Sequence, residues 1–585
     1  MAVAARPPLP ARPARAGAAV HSRSGAALLV ALLAACAYAA FAAGAVRLPD
    51  EARLQVLLAL VAVAAAGIWV AGPVAVSAPA AAWWGAGLLA AFGLWCALSI
   101  GWSVMPDRSW QEANRTLAYA LVIVLAIVAG CATSRAIERV GTGYVIVAAA
   151  VALYALAGKV APGLVDHAGQ VSRLRAPLEY WNALAAVCCW GVPVAVRLVA
   201  DTSRRAPWRL AALAATLVLV VVIGLTYSRG AVLALAVAVA VMTALGGARL
   251  RSLLVLGAVA VAALPVLGVA FGSTALTTNG APLAQRIHDG RALGGVLIVA
   301  LALLLAAGWG AMRLEPRVLA RWSPRASRRT WIAAGVAAGV ACVLALGGLA
   351  ASQRGLGGSV SHAWHSFTAV HEDRQFDPQR LVSTNSGNRW VWWQEAAGAF
   401  SDRPLQGWGA GSFPVTHKLY RTNELPVSQP HNVPLQFLAE TGLVGALLAL
   451  SGIALLLWAA VARVRSLPPG AERDIGAALA AVAIAWVVHG CFDWDWDIPG
   501  VSVPALLFAG VLCARPGAQP RGRPAFADPE RELSPGRWLA LGGTALVMLG
   551  FAVSAAVPAW SDAKASAAQE AAGSPGASPA RVEQA

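Results

Sequence analysis

Apolar runs of roughly 18–22 residues recur along the whole chain, each long enough to cross about 30 Å of hydrocarbon as a helix. This repetition constrains the fold more than any motif does. Hydrocarbon offers no water to backbone N–H and C=O groups, so a crossing segment must close its hydrogen bonds within itself. About fifteen runs can be placed by length and apolarity. The first covers 26–46, and the others centre near 62, 92, 123, 152, 191, 217, 238, 261, 302, 341, 447, 482, 506 and 547. The expectation is an all-α polytopic membrane protein with about 14–15 transmembrane helices and one large outer loop. Composition agrees: of 585 residues, 58% are hydrophobic and 12% charged, outside the range of soluble domains.

Charge then orients the chain. Connections alternate in character. Those on the side of the N-terminus hold most of the 45 Lys and Arg residues and few acids, whereas the others balance basic against acidic residues. By the positive-inside rule the N-terminus is cytoplasmic and the long loop lies outside. The net charge of +17 is spread over these loops rather than gathered on one face, so it does not point to nucleic acid. The eight cysteines lie in or beside apolar runs without CxxC spacing, which argues for small core residues rather than a disulfide framework or a zinc site. A basic start before the first run is compatible with a cleaved signal, but the many further spans favour an uncleaved first helix.

The expected organisation is a disordered cytoplasmic arm over 1–25, transmembrane helices 1–11 over 26–351, a large extracytoplasmic loop over 352–432, helices 12–15 over 433–557, and a disordered tail over 558–585. The loop, about 80 residues long, is too long for an idle connection. Its first part, Ser352–Phe367, is Gly/Ser-rich and reads as flexible. Its second part places Trp392, Trp393, Ala396, Ala397 and Phe400 at helical spacing, as for an amphipathic helix on the membrane surface or on the bundle. Pro404 and the run Gly407–Gly411 end that helix in a turn, and Asn432 is placed to cap the next one.

Several residues in this frame carry potential chemistry. Arg229, in Tyr227–Ser228–Arg229–Gly230, breaks two apolar runs; it is either an interfacial anchor or an anion ligand. Arg389 is a solvated helix-end charge or, beside Trp rings, a planar fork for a diphosphate. Gly407 and Gly409 lie in a turn whose N–H groups can form an anion nest. His431, where the chain re-enters the membrane, is either a hydrogen-bonding interfacial residue or a proton acceptor. Glu440, further into that helix, is a functional candidate or the partner of an arginine. Asp493, Asp495 and Asp497 alternate with tryptophan after His489; sugar stacking or loop docking fits this pattern better than a metal site.

The string Arg389–Trp390, Pro404–Leu405–Gln406–Gly407–Trp408–Gly409, His431–Asn432, Leu435–Gln436 and Glu440–Thr441–Gly442 resembles the signature region of the O-antigen ligase and polymerase superfamily. Leu98–Ser103, Pro177–Asn182 and Tyr227–Gly230 resemble it in the same order, so that the likeness runs through most of 90–515. The resemblance implies a C-type membrane glycosyltransferase fold. It implies transfer of a glycan from a polyprenyl-diphosphate carrier to an acceptor hydroxyl on a lipid, glycan or protein, at the outer face of the cytoplasmic membrane. By the same resemblance Arg229 and Arg389 hold the diphosphate and His431 activates the acceptor, without cofactor or metal and with inversion at the sugar carbon. Gly407, Gly409, Asn432, Glu440, Asp493 and Asp495 are the expected supporting residues. Polymerisation of repeat units shares this chemistry. Transport of an anionic solute or lipid is the alternative from another class, but transporters place ionisable groups near the midplane, and here they cluster at helix ends.

Overall fold

The computed structural model describes residues 14–71, 75–165, 172–321, 347–348, 350–371, 377–515 and 535–573. Helices fill it, and there is no strand among the described residues. In chain order the longer ones are α1 (Ala14–Phe41), α2 (Leu48–Ala71), α3 (Ala80–Ser99), α4 (Pro106–Ala132) and α5 (Ala136–Val160). Then follow α6 (Trp181–Ala200), α7 (Ala206–Leu225), α8 (Arg229–Leu245), α9 (Arg249–Gly272), α10 (Leu283–Arg321) and α11 (Gly355–Thr368). The last are α12 (Arg389–Asp402), α13 (Val433–Ser466), α14 (Ala471–Gly490), α15 (Pro499–Cys513) and α16 (Pro535–Gly573).

Among the described residues, 11 helices are long and apolar enough to cross a membrane, and α8 and α15 are shorter apolar helices. The chain is thus an all-α polytopic membrane protein. Every apolar run placed from the sequence falls on a helix, except the one centred near 341, which lies outside the described residues. α1 begins at Ala14, inside the stretch expected as an arm, and α16 continues to Gly573, past the expected end of the last span.

Burial sorts the helices. The α6 span and all of α15 are buried, so these two form the centre of the bundle. α9, α10 and α16 bury little of their surface and face outward. The centre is closely packed because its sequences are rich in Ala, Gly and Val, which let backbones approach. Where α3 crosses α13, a Cβ on Gly85 would stand 2.9 Å from the Gly452 carbonyl oxygen. α16 packs against α2 through Ala555 and Ala559 on Ala52, and Ser554 donates to the Asn114 side chain at 2.9 Å.

One long helix is broken. Gly442 in α13 takes φ 66°, and the freed backbone groups are taken up by the segment after α12. Gly409 N–H donates to the Glu440 carbonyl at 2.8 Å, and Leu443 N–H donates to the Pro404 carbonyl at 2.7 Å. Non-helical backbone is tolerated at this depth only where protein satisfies it, as happens here.

The segment 352–367, expected to be flexible, is helical from Gly355 onward. Its reason is visible in retrospect: Val360, Ala363, Trp364 and Phe367 recur at i, i+3, i+4 and i+7, and all four line one cavity. α12 rests on the bundle rather than floating at a lipid surface. It buries Trp392, Ala396 and Ala399 against Phe413 and Ala439.

Candidate functional site

The C-terminal ends of α5, α7 and α14 and the N-terminal ends of α6, α8, α13 and α15 meet at one pole of the bundle, beneath α11 and α12. Four residues there hold left-handed backbone angles: Glu179 (φ 57°), Tyr227 (53°), Asn388 (68°) and His431 (53°). Each such non-glycine conformation costs about 1–2 kcal/mol, and surrounding structure must overrule that cost. Tyr180, Arg229 and Arg389 stand within two residues of the first three. The fourth is itself a candidate.

Asp493 is the hub of this pole. Its Oδ1 accepts from the Tyr180 hydroxyl at 2.8 Å and pairs with His431 Nδ1 at 3.0 Å. Its Oδ2 accepts from the Asn182 amide at 2.5 Å and faces Arg389 Nη2 at 3.4 Å. Asp493 is only 1% exposed. Burial alone would raise its pKa, but the His431 hydrogen bond and the charge of Arg389 prevail and hold the carboxyl well below its usual range. An ionised Asp493 can only accept, so His431 Nδ1 carries the proton and Nε2 is the basic ring atom. The imidazole stacks on Trp392 with ring centroids 5.1 Å apart and a 24° tilt. Stacking and carboxylate together fix the orientation of the ring.

Arg389 is the first residue of α12, after a Gly387–Asn388 turn. Asn388 pins that turn through its side chain, donating to the His371 carbonyl and accepting from the His371 N–H at 2.8 Å. Arg229 begins α8 and reaches across to the same loop, donating to the Ser383 carbonyl and, at 2.5 Å, to the Asn385 carbonyl. The two arginines therefore flank one segment, 383–389.

Two cavities adjoin there and share Asn182, Arg380, Asn385 and Arg389 as walls. The first, about 610 Å³, is walled by Leu233, Val360, Trp364, Phe367, Trp393 and Phe492, with Arg229 at its polar end. The second, about 770 Å³, is basic and aromatic and contains His431, Trp392, Trp494, Arg173, Lys418 and Arg421. An apolar chamber and a basic one thus meet at Arg389.

The remaining expected residues are placed differently. Gly407 and Gly409 do not form an anion nest for a ligand, and neither they nor Glu440 line either cavity. The N–H groups of that turn are already used: Gly411 and Phe413 donate to the Glu440 carboxylate at 2.9 and 3.2 Å. A Cβ at Gly407 would lie 2.3 Å from the Glu440 carbonyl oxygen, so the glycine permits contact with the broken helix. Asn432 caps α13, its Oδ1 accepting from Leu435 N–H at 3.0 Å. Asp495 accepts from His489 Nδ1 at 2.7 Å, away from the cavities, and both side chains are buried. Asp497 faces Arg115 at 3.0 Å and accepts from the Gln436 amide at 3.1 Å. The three aspartates of one short loop therefore serve three separate sets of partners, and only Asp493 reaches the site.

Sequence reasoning missed Tyr180, Asn182, Arg173 and Arg380. Tyr180 and Asn182 lay in a motif noted for its likeness alone, and nothing local marks a hydrogen bond to a residue more than three hundred positions away. With the geometry in place, comparison with known families gives one finding: residues 289–450 match the family model described as O-Antigen ligase. No curated protein matches the chain.

Proposed function

For a chain that residues 289–450 assign to the O-antigen ligase/polymerase family, we propose a membrane glycosyltransferase that moves a glycan from a polyprenyl-diphosphate carrier to an acceptor hydroxyl at the extracytoplasmic face of the cytoplasmic membrane. The observation that carries this reading is the single carboxylate of Asp493 gathering a histidine and an arginine where an apolar cavity meets a basic one.

The prenyl chain enters the first cavity, whose Trp364, Phe367 and Trp393 walls suit hydrocarbon. Its diphosphate lies at the junction beside Arg389, and Arg229 shapes and charges the 383–389 segment from the other side. The sugar and the acceptor occupy the second cavity with His431. No nucleotide is at hand outside the cell, so the energy of transfer resides in the glycosyl diphosphate. As the sugar C–O bond breaks, negative charge grows on the leaving phosphate, and preorganised guanidinium groups in a partly dry site stabilise it. His431 Nε2 takes the proton of the attacking hydroxyl, and Asp493 stabilises the imidazolium that results. Attack opposite the leaving group inverts the sugar carbon.

The test is transfer in proteoliposomes from a purified lipid-linked glycan. His431→Ala is expected to lower the rate about 10²–10⁴-fold, the range for positioned acid–base catalysis. Full activity in that variant rules out the assigned base. The product separates two outcomes of the same chemistry: one added glycan for a ligase, a ladder for a polymerase.

A further inference from the structure

Arg173 is a buried charge that this mechanism leaves unused. It is 3% exposed, yet it lines the basic cavity. Its Nε donates to the Thr226 carbonyl at 2.8 Å, and its guanidinium lies 4.2 Å from the Trp181 ring centroid. Among the described residues its buried Nη2 has no hydrogen-bond partner, and no carboxylate pairs with the guanidinium. Burial, and then the neighbouring Arg380, push its pKa down to about 8; burial, Arg389 and Arg229 push Arg380 down to about 10.

Isolated buried cations are costly, and a fold that keeps one in the wall of a cavity, with a donor left unpaired, is built to receive an anion there. Charge shows that the diphosphate does not exhaust the site. Arg173, Arg229, Arg380 and Arg389 repel one another around Asn385, with Asp493 as the nearby carboxylate. Among these described groups four positive charges face one carboxylate, while Arg175 and Glu179 of the same wall pair with each other at 3.3 Å and Lys418 and Arg421 add further positive charge; a diphosphate diester brings two negative charges. Position shows the same. Arg173 belongs to the glycan-side cavity and not to the apolar one, whereas Arg229 belongs to the apolar one.

We propose that Arg173, with Arg380, forms an anion subsite that recognises an acidic group on the glycan, a uronate carboxylate or a sugar phosphate, separate from the carrier diphosphate. The Trp181 ring lies against the guanidinium, whose planar fork matches the oxygens of an acid. This rests on the glycosyltransferase reading and names its substrate class. The acid can sit on the donor sugar or on the acceptor.

The experiment is binding to the full chain in nanodiscs, which needs no turnover. One arm compares two short-chain polyprenyl diphosphates that carry glucose or glucuronate as first sugar. The other adds a free glucuronate disaccharide, or its glucose counterpart, to the complex with the neutral donor. The acidic partner is expected to bind about 10- to 100-fold more tightly in one arm, as for hydrogen bonds between charged groups. Arg173→Gln is expected to bring that ratio close to one, and Arg173→Lys to retain part of it. Arg380→Gln gives the same loss if Arg173→Gln does not fold. Equal binding of acidic and neutral partners by the wild type in both arms overturns the subsite, as does a ratio unchanged in Arg173→Gln. A wild type that binds neither donor overturns the glycosyltransferase reading together with the subsite.

Discussion

Asp493 and Glu440 are both buried carboxylates beside polar loops at the same pole of the bundle, and they do opposite work. Asp493 spends its oxygens on side chains, Tyr180, Asn182, His431 and Arg389, and two of these open onto cavities. Glu440 spends its oxygens on backbone, the N–H groups of Gly411 and Phe413, and closes a turn onto a broken helix. A carboxylate that organises side chains tunes their charge and tautomer. One that receives backbone donors sets chain path. Burial is almost the same for both, so burial alone does not reveal function.

The sharpest way to break this comparison is to neutralise each carboxylate while keeping its shape. Asp493→Asn leaves a hydrogen-bonding side chain but removes the charge that holds His431 in its working tautomer. The folded fraction is expected to transfer about 10²–10⁴-fold more slowly, and melting temperature falls as well, because the new amide nitrogen meets the Asn182 and Arg389 donors. Glu440→Gln should spare the rate. Its amide would confront two N–H donors with one acceptor oxygen, at a cost of about 1–3 kcal/mol, so melting temperature falls while the folded fraction turns over near the normal rate. If Asp493→Asn mainly unfolds the protein and Glu440→Gln mainly stops transfer, the roles are reversed.

Arg389→Lys sharpens the Asp493 half. A lysine keeps the charge near Asp493 but offers a point instead of a fork, and it cannot span a carboxylate and a phosphate together. Donor affinity is expected to drop roughly tenfold, measured by binding of a short-chain lipid diphosphate. Unchanged affinity would remove Arg389 from the diphosphate clamp.

Much of this fold was legible in the apolar runs, because hydrocarbon accepts few solutions and a helix long enough to cross it announces itself locally. Arg229, Arg389 and His431 were also visible as polar interruptions at helix ends. The sequence ranked Gly407, Gly409 and Glu440 with them, since a glycine turn and a buried acid look alike whether they bind a ligand or each other. Only the break at Gly442, which frees the groups that the turn engages, separates those cases. Arg173 and Tyr180 were silent for a different reason. Their roles arise from loops before α6 meeting loops after α7 and α14, and spacing along the chain carries no trace of that.

The smallest expected effect concerns a third buried carboxylate, Glu395 of α12, which pairs at 3.2 Å with His417, a wall residue of the basic cavity. Burial raises the Glu395 pKa from 4.5 to about 7, although Arg421 opposes the shift. Burial lowers that of His417, helped by Arg421 and Lys418. Between about 4.5 and 7 folded Glu395 therefore holds a proton that the unfolded chain has released, and its contribution to stability falls as pH rises through that window. His417 acts oppositely: below its ordinary value of 6.5 the unfolded chain binds the extra proton, and stability falls as pH falls. Glu395→Gln removes the first slope and leaves the second. Relative to wild type, the variant should gain melting temperature as pH is raised from 5 to 8, by a few degrees at most. Such a shift in stability, with the rate of transfer unaltered, would place Glu395 with Glu440 among the carboxylates that hold the loop. A change in rate with no change in stability would place it with Asp493.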